Sequence, residues 1–147
     1  MIRFLSFLLF LLCCHSSMGM AQGKKDMKDY WIDKYLSVSF PLESIRINST
    51  FGSRVDPFTG KHKQHKGLDL RARYEEVLSM FSGYVKGVGY DSGSGKYITM
   101  QYGDYTVSYC HLSEIWVSDN QKVYAGDPIG ISGTTGRSTG PHLHITC

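Results

Sequence analysis

The sequence predicts a mainly β domain, an antiparallel sheet folded as an open barrel or sandwich, with a short N-terminal helix. Three observations carry this reading. Sixteen glycines in 147 residues make about 11% of the chain, against roughly 7% on average, and all but Gly19 and Gly23 lie from Gly52 onward. A long helix does not carry glycine at that density. After Ser37, short runs rich in Tyr, Val, Ile and Thr alternate with turn sequences. No helical periodicity of useful length follows Leu36. The composition, 41% hydrophobic and 13% aromatic, excludes intrinsic disorder. A net charge of +3, without a clustered Lys/Arg helix, excludes nucleic acid as the expected partner.

The elements follow in chain order. Residues 1–21 read as a secretory signal: Arg3 supplies the positive start, residues 4–14 are apolar apart from Ser6, and Gly19-Met20-Ala21 offers a cleavage site. That apolar run is too short for a span of about 20 residues, so no transmembrane span is expected in the mature chain. Lipid attachment at Cys14 is the minority alternative, because Cys13 precedes it where a small Ala or Gly is usual. Either route places the mature protein outside the cytoplasm, periplasmic or extracellular. Residues 22–39 form an extension. Within it Met27, Trp31 and Tyr35, and likewise Ile32 and Leu36, recur four apart, which predicts a helix over 24–36. Residues 40–147 form the main domain. Its clearest strands are 84–90, 97–102, 105–112 and 142–146. Gly103-Asp104 is a two-residue hairpin turn, 91–95 a flexible loop, Gly126-Asp127-Pro128 a turn, and 130–140 a glycine-rich loop.

The histidines carry the chemistry. His65 and Asp69 stand four apart with Gly67 between them, where the backbone can bend. His142-Leu143-His144 on a strand points both rings to one sheet face and Leu143 to the core. Two neutral imidazoles and a carboxylate leave a fourth zinc position for water, the arrangement of a catalytic site. Each piece alone has a bland reading: His-x-His as an exposed strand pair, His111 as a hydrogen-bonded core histidine. Together, in an exported β protein, they favour a metal site. His62, in a polar Lys61-His-Lys-Gln stretch, is expected to be solvated.

The sequence resembles the lysostaphin-type (LytM-like) zinc endopeptidases of bacterial cell walls. The resemblance rests on Asn48-Ser-Thr-Phe-Gly-Ser-Arg54, Asp56-Pro57 with Thr59-Gly60, His65-Lys-Gly-Leu-Asp69, Tyr109-Cys-His-Leu-Ser113 and Ser132-Gly-Thr-Thr-Gly-Arg-Ser-Thr-Gly-Pro-His-Leu-His144. It implies that 40–147 is a zinc metallopeptidase catalytic domain. His65, Asp69 and His144 would hold one zinc ion, with His111 and His142 as the catalytic pair. Which of the pair accepts a proton and which stabilises the oxyanion stays open. The implied function is hydrolysis of peptide cross-links in peptidoglycan through a metal-activated water. The alternative is an inactive relative that binds wall peptides or activates another wall hydrolase.

Further expectations attach to single residues. Arg54 stands where the family usually has arginine, which implies a role near the site; the preferred alternative is a structural arginine holding the loop that contains Asp56. Tyr109, two residues before His111, is expected to face the His111 side, either lining the cleft or packed. Arg73-Tyr-Glu-Glu-Val77 replaces the family's Gly-Thr-x-Val, so that rim should differ in shape. Asn120 stands where glycine is usual, and asparagine tolerates the left-handed turn. The sequence stops at Cys147, three residues after His144, whereas family members usually run further. Of four cysteines, Cys13 and Cys14 lie in the leader. Strand parity places Cys110 and Cys147 on the face away from the metal, where they are expected to pair or lie close. The alternative is two independent thiols, Cys110 buried and Cys147 at a fraying end.

Overall fold

The computed structural model of this chain describes residues 37–147. The leader and the helix expected over 24–36 lie outside the described residues. Within them, twelve strands and no helix are found: β1 (Ile47–Ser49), β2 (Gly52–Val55), β3 (His62–His65), β4 (Leu68–Arg71), β5 (Glu76–Leu78), β6 (Gly83–Asp91), β7 (Gly95–Tyr102), β8 (Tyr105–Leu112), β9 (Glu114–Ile115), β10 (Lys122–Val123), β11 (Pro128–Ile131) and β12 (His142–Thr146). They form an antiparallel sheet of seven strands, ordered β1-β4-β12-β8-β7-β6-β10, a three-stranded sheet β5-β11-β9, and the hairpin β2-β3. No sheet closes into a barrel among the described residues, so the architecture is the expected open β fold.

Alternation along the long strands builds the core. Ile98 and Met100 of β7, Val107 and Tyr109 of β8, Leu70 of β4 and Leu143 of β12 point inward with Val77 and Ile129 from the small sheet. Each such side chain contributes roughly 1.5–3 kcal/mol by leaving water. Leu70 and Leu143 are direct cross-strand partners. Their neighbours in the same register, Asp69 with His144 and Arg71 with His142, therefore share the opposite face. The core side of β4 and β12 thus fixes which side chains the other side presents.

The turns follow the sequence. Gly103 takes φ +59° in the β7–β8 hairpin, and Asn120 occupies the left-handed region at φ +65°. The altered rim at residues 73–77 is a turn with Tyr74 at φ +56°. The Glu75 carboxylate accepts the Arg73 N–H, and the Glu75 N–H donates to the buried Ser132 hydroxyl. Tyr74 therefore holds a conformation that glycine adopts without penalty.

Candidate metal centre and cleft

His65 ends β3, Asp69 lies in β4 and His144 in β12, and these three strands deliver their side chains to one point. Asp69 Oδ1 is 2.7 Å from His144 Nδ1 and 3.1 Å from His65 Nε2, and the two nitrogens are 3.1 Å apart. The His65 Nδ1–H donates to the Thr50 carbonyl at 2.8 Å, which leaves the Nε2 lone pair facing the aspartate. A bare imidazole nitrogen and a carboxylate oxygen repel at that distance unless a proton or cation lies between them. Tetrahedral donors held at about 2.0–2.1 Å from zinc sit roughly 3.3–3.4 Å apart. Two edges of the observed triangle, at 3.1 Å, are within a few tenths of an ångström of that spacing, the third, at 2.7 Å, needs to open by about 0.6 Å, and the nitrogen and oxygen donors suit zinc. The residues present therefore fit the ion.

Gly67 makes this approach possible. A Cβ there would lie 2.3 Å from the Ile145 carbonyl oxygen and 2.6 Å from His144 Cε1. Its role is clearance for the His144 ring and the neighbouring strand rather than the bend expected from sequence.

The second pair of histidines stands beside the triangle. The ring centroids of His111 and His142 are 4.6 Å apart, and those of His111 and His144 are 5.8 Å apart. The His111 Nδ1–H donates to the Thr135 carbonyl and the His142 Nδ1–H to the Gly140 carbonyl, each at 2.8 Å. Both rings thus keep Nε2 free of the loop, and His142 Nε2 lies 3.7 Å from Asp69 Oδ1. The Thr135 carbonyl is held by a tight loop contact. Gly136, at φ +71°, leaves room for Gly95, and a Cβ would come within 2.2 Å of its nitrogen. The Thr135 hydroxyl also donates to the Leu112 carbonyl at 2.7 Å.

Charge in the cleft follows burial and pairing. Burial alone would raise the Asp69 pKa, but the His144 hydrogen bond and the positive potential of His142, His65 and His144 outweigh it and hold the carboxyl below its ordinary range. Burial lowers the His111 pKa, only partly opposed by its bond to Thr135, so the ring is neutral at neutral pH. Burial pushes the Cys110 thiol up to about 11, so it offers no thiolate to the donor set.

Several single-residue expectations need correction. Arg54 does not hold the Asp56 loop; its guanidinium pairs with Asp69 Oδ2 at 3.2 Å. Arg137 does that work, reaching both Asp56 carboxylate oxygens at 3.0 and 3.1 Å and covering the Phe58 ring. For Tyr109 the packed alternative holds, though on the core face and not the His111 side: it is fully buried, its hydroxyl accepts the Met80 N–H and it meets the Tyr102 hydroxyl. Cys110 lies not beneath the site but in the cleft wall, paired in register with His144. The cause is an extra residue in β8: Lys96 pairs with Leu112 and Ile98 with Tyr109, so three steps along β8 oppose two along β7. His111 absorbs the bulge at φ +64°. Cys110 and Cys147 are both free thiols, Cys110 buried and Cys147 exposed. The β12–β8 register carries Cys147 about three residues, or roughly 10 Å, past Cys110 along the strands, beyond disulfide reach. His62 is exposed, as expected, and takes no part in the site.

The histidines and Asp69 line a cleft of about 900 Å³. Two imidazoles and a carboxylate thus converge in an open β domain with two further imidazoles alongside, a donor set that could hold a metal ion. Residues 63–147 match peptidase family M23, and the chain belongs to that family. It is 39% identical over 109 residues to the peptidoglycan DD-endopeptidase ShyA of Vibrio cholerae, covering 71% of this chain and 25% of that protein. The crystal structure of a zinc-containing peptidase from Vibrio cholerae superposes with a TM-score of 0.66 at 34% identity, covering 72% of this chain and 34% of that one. The catalytic domain of lysostaphin from Staphylococcus simulans gives 0.64 at 31% identity, covering 69% and 77%. The chain spans 23–30% of the length of the first curated relatives it matches.

Proposed function

We propose that this chain is a zinc-dependent endopeptidase domain that hydrolyses peptide cross-links of peptidoglycan outside the cytoplasm. The observation that carries the reading is the convergence of His65 Nε2, Asp69 Oδ1 and His144 Nδ1 within 3.1 Å of one another, beside His111 and His142. The first three would hold the ion. Bound there, zinc supplies Lewis acidity and lowers the pKa of water to about 7.

The remaining work belongs to the side chains. His111, kept neutral by burial and oriented by Thr135, presents Nε2 to the cleft and accepts the proton of the attacking water. His142, oriented by Gly140, faces the same space and, in its doubly protonated form, donates from Nε2–H to the negative charge that develops on the peptide carbonyl oxygen. Arg54 holds the second oxygen of Asp69 and so leaves Oδ1 to point inward. Relatives named as peptidoglycan endopeptidases supply the substrate class. Digestion of defined peptidoglycans with the zinc-loaded protein, with products identified by mass, tests this. New peptide ends from the wild-type chain and none from His111→Ala with zinc retained are expected. Intact cross-links after exhaustive incubation with the fully loaded protein would refute it.

A further inference from the structure

The altered rim supplies cations that the site described so far does not use. Along β4 and into the turn after it, Leu70 and Ala72 are buried in the core. Asp69, Arg71 and Arg73 alternate with them and line the cleft. Arg71 is the register partner of His142, as Asp69 is of His144, so its backbone sits directly across from one of the two histidines beside the metal triangle. Two residues of strand advance about 6.6 Å. Arg71 therefore stands roughly 7 Å from Asp69 along β4, and Arg73 follows in the turn beyond the strand on the same cleft.

Among the described residues neither guanidinium is spoken for. The acids that line the cleft are Asp56 and Asp69. Asp69 is taken by Arg54, and Asp56 by Arg137 with Lys63 at 3.9 Å. Glu75 turns its carboxylate back onto the Arg73 backbone N–H and does not line the cleft. Arg71 and Arg73 are exposed and make no ion pair among the described residues. Two unpaired, planar donor forks beside a reaction centre match a carboxylate, which a guanidinium binds with two parallel hydrogen bonds.

We propose that Arg71 and Arg73 form an anion subsite that takes a free carboxylate of the peptide substrate, within a few residues of the scissile bond. This rests on the endopeptidase reading and sharpens it: the preferred cross-link carries a carboxylate near the cut, and a neutral glycine bridge is a poor substrate. The carboxylate can belong to a residue within the cross-link or to a chain terminus.

The test uses one cross-linked peptide in three forms: all carboxylates free, the internal carboxylate amidated, and only the terminal carboxylate amidated. Hydrolysis and calorimetric binding are measured for the zinc-loaded wild-type chain and for Arg71→Ala/Arg73→Ala. The wild type is expected to prefer the free acid over one of the amides by about tenfold or more in kcat/KM, the usual scale of a charged hydrogen-bonded pair. The amide that matters identifies which carboxylate is held. The double variant should treat acid and amide alike within about twofold and retain its zinc. Arg71→Lys/Arg73→Lys should restore part of the preference. Equal use of all three forms by the wild type, or an undiminished preference in the double variant, overturns the subsite. If no form is cut but the acid still binds more tightly and loses that advantage in the double variant, the subsite stands and the endopeptidase reading falls.

Discussion

Replacing Gly67 with alanine adds one methyl group at the tightest point of the site. Its conformation is not the obstacle, because Gly67 does not occupy the left-handed region. The obstacle is space. The new Cβ would start 2.3 Å from the Ile145 carbonyl oxygen and 2.6–2.7 Å from two atoms of the His144 ring. Reaching even the 3.0 Å limit requires a shift of about 0.7 Å at the oxygen. That oxygen belongs to β12, which is anchored on one side to β4 and on the other to β8. Neither neighbour can follow without breaking its ladder, so the strain falls on the His144 ring and the start of β4. Overpacking of this kind costs about 1–3 kcal/mol, and a misplacement approaching 1 Å in a catalytic centre costs about a hundredfold in rate. Gly87→Ala, where a Cβ meets nothing within 4 Å, is the matched control. Thermal unfolding should show a Tm about 3 °C or more lower for Gly67→Ala, and zinc titration should show weakened affinity, with the control near wild type. A Gly67→Ala protein with wild-type Tm and zinc affinity would refute the argument that this glycine exists for clearance.

Other residues give independent tests. Tyr109→Phe leaves the buried Met80 N–H without its acceptor; about 1–3 kcal/mol of stability should go while kcat/KM holds, and a selective loss of activity would return Tyr109 to the cleft. Arg54→Leu frees Asp69 Oδ2, so zinc affinity should fall about 10–100-fold, readable by competition with a chromophoric chelator; unchanged affinity would make the pair incidental. Burial lowers the His111 pKa in the folded chain, so below an unfolded value of about 6.5 the unfolded state takes up a proton that the folded state resists. Stability of the metal-free protein should therefore fall as pH drops through that range. His111→Asn, which tolerates φ +64°, should flatten the curve of Tm against pH; an equally steep curve would show that His111 does not contribute.

What the sequence made legible followed strand regularity. β12 is unbroken, so parity correctly put His142 and His144 on one face and Leu143 in the core. β8 is not regular, and there parity failed. The extra residue near Cys110 and His111 carries no glycine to announce it, and a histidine at φ +64° is an unusual way to absorb a bulge. The facing of Tyr109 and Cys110 shares that cause, whereas the unmade disulfide follows from the three-residue offset of Cys147 past Cys110 along β12 and β8. The exchange of partners between Arg54 and Arg137 was invisible for a different reason. Asp56 and Arg137 are 81 residues apart and meet only because the β2-β3 hairpin and the 130–140 loop border one cleft. Thr50 and Thr135 act through backbone carbonyls, which no side-chain motif records. The rim turn was flagged as a departure, but only the β4–β12 register shows Arg71 opposite His142.

The most direct measurement is a zinc-loaded crystal of the full chain with anomalous data collected on both sides of the zinc edge. A single ion is predicted about 2.0–2.1 Å from each of His65 Nε2 and His144 Nδ1 and close to Asp69 Oδ1, with His111 and His142 near it but unligated. An ion ligated by His111 in place of any of these three, or no anomalous peak in the cleft at full occupancy elsewhere, would contradict the account.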